Sequence, residues 1–113
     1  FKLTMVSRAN GIAPMDGPFA DCQDMRSLEL EASRAHTLGM AGKWAIHPAQ
    51  VDPIQAMFTP SAERIAAARK PKAAYEIAQG RGQGAINVDG VMVDAASIRL
   101  SQSLLDQANL LGL

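Results

Sequence analysis

Cysteine is nearly absent: Cys22 stands alone in the 113 residues, so the chain can close no disulfide of its own and a reducing compartment is the simpler expectation. Cys22 reads as a small, partly buried side chain rather than a nucleophile. Aromatic residues are scarce at 4%, and the eleven basic side chains are cancelled by eleven acidic ones. No cluster of Lys and Arg interleaved with aromatics is left to form the electrostatic footprint of a nucleic-acid binder, so nucleic acid is not expected as a partner. No apolar run approaches the roughly 18 residues of a membrane span, and no charged-then-apolar leader precedes the first element, so no membrane partner is expected and the expected location is the cytoplasm. The chain opens at Phe1 without Met, inside what reads as the middle of a helix, and we expect a piece of something longer. What the chain does have is 48% hydrophobic residues, ample for a packed core.

The stretch Gly42 to Pro48 organises the rest. Trp44 and Ile46 are strong strand formers in a short apolar run bounded by Gly and Pro, with helical patterns on both sides, which reads as a buried strand of a parallel sheet. His47 then lies at its carboxyl end, where ligands and catalytic groups gather in parallel α/β architectures.

Taken in order, residues 2 to 10 carry Leu3, Val6 and Ala9 at helical spacing and stop at Asn10 and Gly11. Ile12 to Met15 reads as a first strand ending at Asp16, followed by the turn residues Gly17 and Pro18. Asp24 can cap a helix whose apolar stripe is Met25, Leu28, Ala32, Ala35 and Leu38, with Glu31 and Arg34 off it and Gly39 ending it. Strand, helix and strand then fit the length of a βαβ unit. His36, among Arg and Ala, reads as a solvated side chain. Asp52 and Pro53 predict a short helix to about Phe58, and Thr59 with Pro60 predicts a longer one with Ile65, Ala68, Ala73 and Ile77 on its apolar face. Pro71 lies inside it and predicts a kink or break near Lys70, because it removes a hydrogen bond and clashes with the preceding turn. Gly80, Gly82 and Gly84 read as a flexible linker rather than a phosphate loop, since no strand precedes them and no Lys-Ser/Thr pair follows. Asp89 and Gly90 between two β-branched runs predict a hairpin with a type I′ turn. Asp94 closes its second arm and opens a last helix with Leu100, Leu104, Ala108 and Leu111 on one face.

Four blocks now carry a resemblance: Met15 to Asp21, Gly42 to Pro48, Phe58 to Ser61, and Asp89 to Asp94. Their order and spacing resemble the citrate lyase β-subunit-like family, which contains the malyl-CoA lyases. Asp16 to Phe19 and Ala95 to Arg99 are most similar to its L-malyl-CoA/β-methylmalyl-CoA lyase branch. The resemblance implies an α/β fold, the C-terminal part of a (β/α)8 TIM barrel of roughly 300 residues, with residues 1–58 in the barrel and a helix-hairpin-helix lid over 59–113. It also implies reversible carbon-carbon cleavage of a 3-hydroxyacyl-CoA, malyl-CoA giving acetyl-CoA and glyoxylate, with Mg2+ whose ligands lie upstream of Phe1. A homo-oligomer is implied, each lid completing a neighbour's active site.

For the residues of this chain the resemblance implies Asp94 as the catalytic acid/base group. Read locally, an Asp between strand and helix with Ser97 three residues on is an ordinary N-cap, and both roles stand. Asp16, Gly17 and Pro18, with Ile46, His47 and Pro48, lie where the family's CoA thioester binds, although a turn after a strand is also just a turn and a lone His often serves a loop. Arg99 could pair with a CoA phosphate or with Asp94. No metal ligand is expected, because Asp16, Asp21 and Asp24 follow a turn and do not converge. Two other readings stand beside the lyase: a citryl-CoA lyase or malyl-CoA thioesterase of the same family, and a noncatalytic interaction subunit.

Overall fold

In a computed structural model describing residues 1–113, the helix stops and the hairpin turn fall where the local sequence puts them, while several buried faces do not. The chain divides into two compact units, Phe1–Thr59 and Pro60–Leu113.

In the first unit, helix α1 (Lys2–Ala9) is followed by strand β1 (Met15–Asp16), helix α2 (Met25–Thr37), strand β2 (Gly42–Lys43) and helix α3 (Val51–Phe58). β1 and β2 pair in parallel, Met15 opposite Gly42 and Asp16 opposite Lys43. Backbone bonds from Ala41 N to the Pro14 carbonyl (2.8 Å) and from Trp44 N to the Asp16 carbonyl (3.1 Å) extend the ladder by one bond at each end. Both strands are shorter than the sequence predicts, and Ile12 lies outside β1. The buried residues of β2 are Gly42 and Lys43, whereas Trp44 is 61% and Ile46 54% exposed. The physical reason is that each strand has only the other to pair with, so one ladder leaves two edges and an uncovered face.

Helix α2 begins where Asp24 Oδ1 accepts the Ser27 amide at 3.0 Å, satisfying one of the donors that the first turn leaves unpaired. Its stripe is as predicted: Leu28, Ala32 and Ala35 are buried, packing against β2 and α3. The two alanines let the backbones approach, and Leu28 supplies the volume; a fully buried Leu contributes about 1.5–3 kcal/mol, so Leu28→Ala is the change most damaging to this layer. At its other end the Met40 amide reaches the Ala35 carbonyl and the Gly39 amide that of His36, the paired bonds of a Schellman closure, with Gly39 at φ +83°. That closure also seats α1: Arg8 donates to the Gly39 carbonyl at 2.9 Å. α1 consequently buries Thr4, and the predicted positions Leu3 and Val6 remain exposed. His36 is partly buried rather than solvated, meeting the Phe58 ring edge-on at 5.6 Å.

α3 starts earlier than predicted, with a 3-10 turn (Pro48–Gln50) running into it. Asp52 therefore lies in the first turn instead of capping it, and Pro53 occupies one of the early positions where a missing amide costs nothing.

In the second unit, helix α4 (Ala62–Gln79) is capped by Ser61, whose Oγ accepts the Arg64 amide at 3.2 Å. Strands β3 (Ala85–Val88) and β4 (Val91–Asp94) form the predicted antiparallel hairpin, and helix α5 (Ala95–Leu110) follows directly. Asp89 at φ +52° and Gly90 at φ +83° make the type I′ turn, the Gly90 amide donating to Asn87 Oδ1 at 2.8 Å. α4 is one helix with Pro71 inside it, not the broken helix expected; the well-formed turns on either side, rich in alanine, contain the loss of a single bond. Its buried face is Ile65, Ala68, Tyr75 and Ala78, with Ile77 62% exposed, so Tyr75 rather than Ala73 and Ile77 continues the stripe. Ile65 and Ala68 pack on Leu105 and Ala108 of α5, with Leu104 alongside, while Leu100 and Leu111 stay exposed. The glycine run is the C-terminal closure of α4, not a linker alone: Gln83 N bonds the Ala78 carbonyl and Gly82 N, at φ +76°, that of Gln79. No helix is long and apolar enough to cross a membrane.

Candidate functional site

The carboxyl ends of β1 and β2 carry the cluster that organises the first unit. Lys43 lies in β2 with its side chain fully enclosed, and a buried ammonium is tolerated only when its three donors are satisfied. All three are: Nζ donates to Asp16 Oδ2 at 2.8 Å, to the Gly17 carbonyl at 2.7 Å and to Glu31 Oε1 at 3.0 Å. Burial opposes the charge, but the hydrogen bonds and negative charges of Asp16 and Glu31 outweigh it and hold the Lys43 pKa above the ordinary lysine value. One side chain thereby ties the end of β1, the turn after it and the middle of α2.

Gln50 does the same for the loop after β2. Entirely buried, it accepts the Ile46 amide on Oε1 at 3.0 Å and donates from Nε2 to the Phe19 carbonyl at 2.8 Å, 31 residues away. The two loops that leave the parallel strands are therefore fastened to each other. Asp16 is half-buried, Gly17 and Pro18 are exposed on the first loop, and Ile46, His47 and Pro48 are exposed on the second. His47 Nδ1 accepts the Ala49 amide at 3.1 Å, capping the 3-10 turn, so the ring serves a loop amide. A cavity of about 530 Å3 opens between the first loop and α2, lined by Asp16, Phe19, Ser27, Glu31, Arg34 and Leu38 among others.

Asp94 belongs to the second unit, where the hairpin places it opposite Ala85 at the open end of the ladder. Its Oδ1 accepts both the Ser97 amide and the Ser97 hydroxyl, each at 2.9 Å, so the capping geometry is real. The backbone bond from Ser97 and then its hydroxyl hold the Asp94 carboxyl below the usual carboxylate value, against a smaller opposing effect of burial. At neutral pH Asp94 is an anion. Arg99 makes no ion pair with Asp94. Cys22 is half-buried, its thiol near the Ala20 carbonyl at 3.7 Å.

A divalent cation finds no complete site in this chain. No group of three or more His, Cys, Asp or Glu side chains converges to hold a metal, and Asp16 with Glu31 is committed to the Lys43 ammonium. Sequence reasoning missed Lys43 and Gln50. A cation in the middle of a run read as a buried strand was itself the signal, since it requires buried acceptors; Gln50 gave no comparable signal.

No family model matches the chain. It is 46% identical over 104 residues to an L-malyl-CoA/beta-methylmalyl-CoA lyase of Cereibacter sphaeroides, covering 92% of this chain and 33% of that protein. To a protein of the same description from Rhodobacter capsulatus it is 47% identical over 103 residues, covering 91% and 32%. A (3S)-malyl-CoA thioesterase of Cereibacter sphaeroides is 35% identical over 104 residues, 92% of this chain and 36% of that protein. Among solved structures, a citrate lyase from Burkholderia xenovorans superposes with TM-score 0.78 at 30% identity, over 96% of this chain and 33% of that one. Protein CitE from Mycobacterium tuberculosis, solved in complex with magnesium, acetoacetate and coenzyme A, gives TM-score 0.69 at 28% identity over 93% and 38%. The chain thus spans about one third of the length of the relatives it matches, and over that third its sequence and fold are similar to those of malyl-CoA lyases and citrate lyase-like proteins.

Proposed function

We propose that this chain is the C-terminal third of a malyl-CoA lyase, an enzyme that cleaves L-malyl-CoA, and its β-methyl analogue, to acetyl-CoA (or propionyl-CoA) and glyoxylate, reversibly. The observation that carries the reading is the contrast in identity: 46–47% to lyases against 35% to a thioesterase over nearly the same residues. Residues 1–58 are the last part of a (β/α)8 barrel and 59–113 a lid. The exposed edges of β1 and β2 and the uncovered Trp44 and Ile46 are the surfaces that preceding barrel elements cover.

In the cleavage direction the hydroxyl of the substrate gives its proton to a base outside this chain, the bond between the hydroxyl carbon and the carbon next to the thioester breaks, and its electron pair passes into the thioester as an enolate. A proton delivered to the enolate carbon completes acetyl-CoA. Asp94 is the group assigned to that proton: in condensation its carboxylate takes a proton from the acetyl-CoA carbon, and in cleavage, entered with the carboxyl protonated, it returns that proton to the enolate carbon. The Asp16-Gly17-Pro18 loop and the Ile46-His47-Pro48 loop, tied together by Gln50, form part of the wall that receives the CoA thioester. Mg2+ supplies Lewis acidity in this reading, and its ligands lie outside the chain. The intact enzyme is a cytoplasmic homo-oligomer in which Asp94 completes a neighbour's site.

The test is condensation by the full-length protein. Acetyl-CoA and glyoxylate supplied with Mg2+ yield malyl-CoA if the reading holds. A protein that forms none, yet hydrolyses malyl-CoA to malate and CoA, is the thioesterase instead.

A further inference from the structure

We infer that Lys43 is a positioning residue for the acyl-CoA site, fixing the loop after β1 through its contacts to Asp16 and Gly17 while anchoring that loop to α2 through Glu31. The inference rests on the lyase reading for its substrate, but its structural basis is independent of it. Gly17 and Pro18 are exposed and belong to no regular element, so no sheet or helix ladder holds them. Gln50 holds the far side of the loop at the Phe19 carbonyl, and the near side is held by one buried ammonium that grips the carboxylate of the last strand residue at 2.8 Å and the carbonyl of the next residue at 2.7 Å. The third bond, to Glu31 at 3.0 Å, ties the ammonium to α2, so the loop is fastened directly to a helix by this one side chain. Lys43 reaches no open surface itself. It acts on substrate only through the loop, as the outer groups around a site orient those that touch the ligand.

A merely structural Lys43 would affect stability alone, and the experiment separates the two. In the full-length protein, Lys43→Met keeps an unbranched apolar stem of nearly the same length and removes the ammonium. We expect the KM for malyl-CoA to rise by about 10- to 100-fold with a smaller change in kcat, and amide exchange over residues 17–23 to quicken. Leu28→Ala is the control: it lowers the melting temperature through the same layer but leaves KM near the unaltered value. Glu31→Gln, which loosens the anchor without touching the loop, falls between. If Lys43→Met does not fold, Lys43→Arg takes its place, since the guanidinium keeps the charge but cannot match three acceptors arranged for a single ammonium; a raised KM is again expected. The inference is overturned if exchange over 17–23 is unchanged in a folded Lys43 variant, or if Leu28→Ala raises KM as much as Lys43→Met. Should the unaltered protein fail to cleave malyl-CoA, the lyase reading fails and the exchange measurement still decides the role of Lys43.

Discussion

Replacing Asp94 by Asn and by Ala separates its two roles. As a cap, Asp94 offers one oxygen, Oδ1, to the amide and the hydroxyl of Ser97. The amide oxygen of Asn accepts both bonds in the same geometry, and Asn ranks with Asp as an N-cap, so Asp94→Asn keeps the melting temperature of the full-length protein within about 1–2 °C. Ala accepts neither bond and leaves two donors of the first turn of α5 unpaired, so the melting temperature falls by about 2–4 °C in a protein of the relatives' size. The chemistry divides differently. Under the proposed role neither variant can exchange a proton with the acetyl-CoA carbon, and loss of such a group costs roughly 100- to 10,000-fold in rate. Calorimetry and steady-state cleavage of malyl-CoA on the same preparations give the comparison: Asn is expected to be stable and inactive, Ala less stable and inactive. An Asn variant with near-normal turnover would refute the reasoning and leave Asp94 as a helix cap alone.

Three further outcomes are expected. Ser97→Ala removes the hydroxyl bond to Asp94 and lets its pKa return toward the ordinary value of 3.8; since a depressed carboxyl stabilises the fold above its unfolded pKa and loses that contribution as pH falls through its folded one, acid titrations below about pH 4 should show the variant unfolding at higher pH than the unaltered protein. Lys43 shifts the other way, above its ordinary 10.5, so its contribution is complete below that value and is lost as pH rises through the folded pKa; melting temperatures of the unaltered protein should fall in strongly alkaline buffer more steeply than those of Lys43→Met, and parallel curves would speak against the buried ion cluster. The 113-residue chain expressed alone should melt without a sharp transition and show water-exposed Trp44 fluorescence, because its two parallel strands are partnered only by each other; a clean two-state melt would contradict this.

Local chemistry was legible in the sequence and long-range burial was not. Asp24 and Asp94 cap helices, Asp89 and Gly90 turn the hairpin, and Gly39 ends α2, because each of these choices is made within four residues; the start of α4, read at Thr59 and Pro60, falls two residues later with Ser61 as its cap. The apolar faces drifted where more than one phase fits the pattern: Ile65, Ala68 and Ala108 are buried as read, but Tyr75 and Leu105 are buried where Ile77 and Leu100 were expected. Trp44 and Ile46 read as a buried strand because their type says so, and they are exposed because burial needs neighbours that residues 1–59 do not supply. Lys43 and Gln50 find partners 12 to 31 residues away, a distance over which spacing says nothing. Asp94 was legible as a cap; its catalytic assignment comes from the resemblance.

The most direct measurement of the central claim is the product balance when the full-length protein consumes malyl-CoA with Mg2+, glyoxylate being trapped as its hydrazone and CoA species separated by chromatography. A lyase releases one glyoxylate for each acetyl-CoA and no malate. Free CoA appearing with malate, and no glyoxylate, would contradict the account.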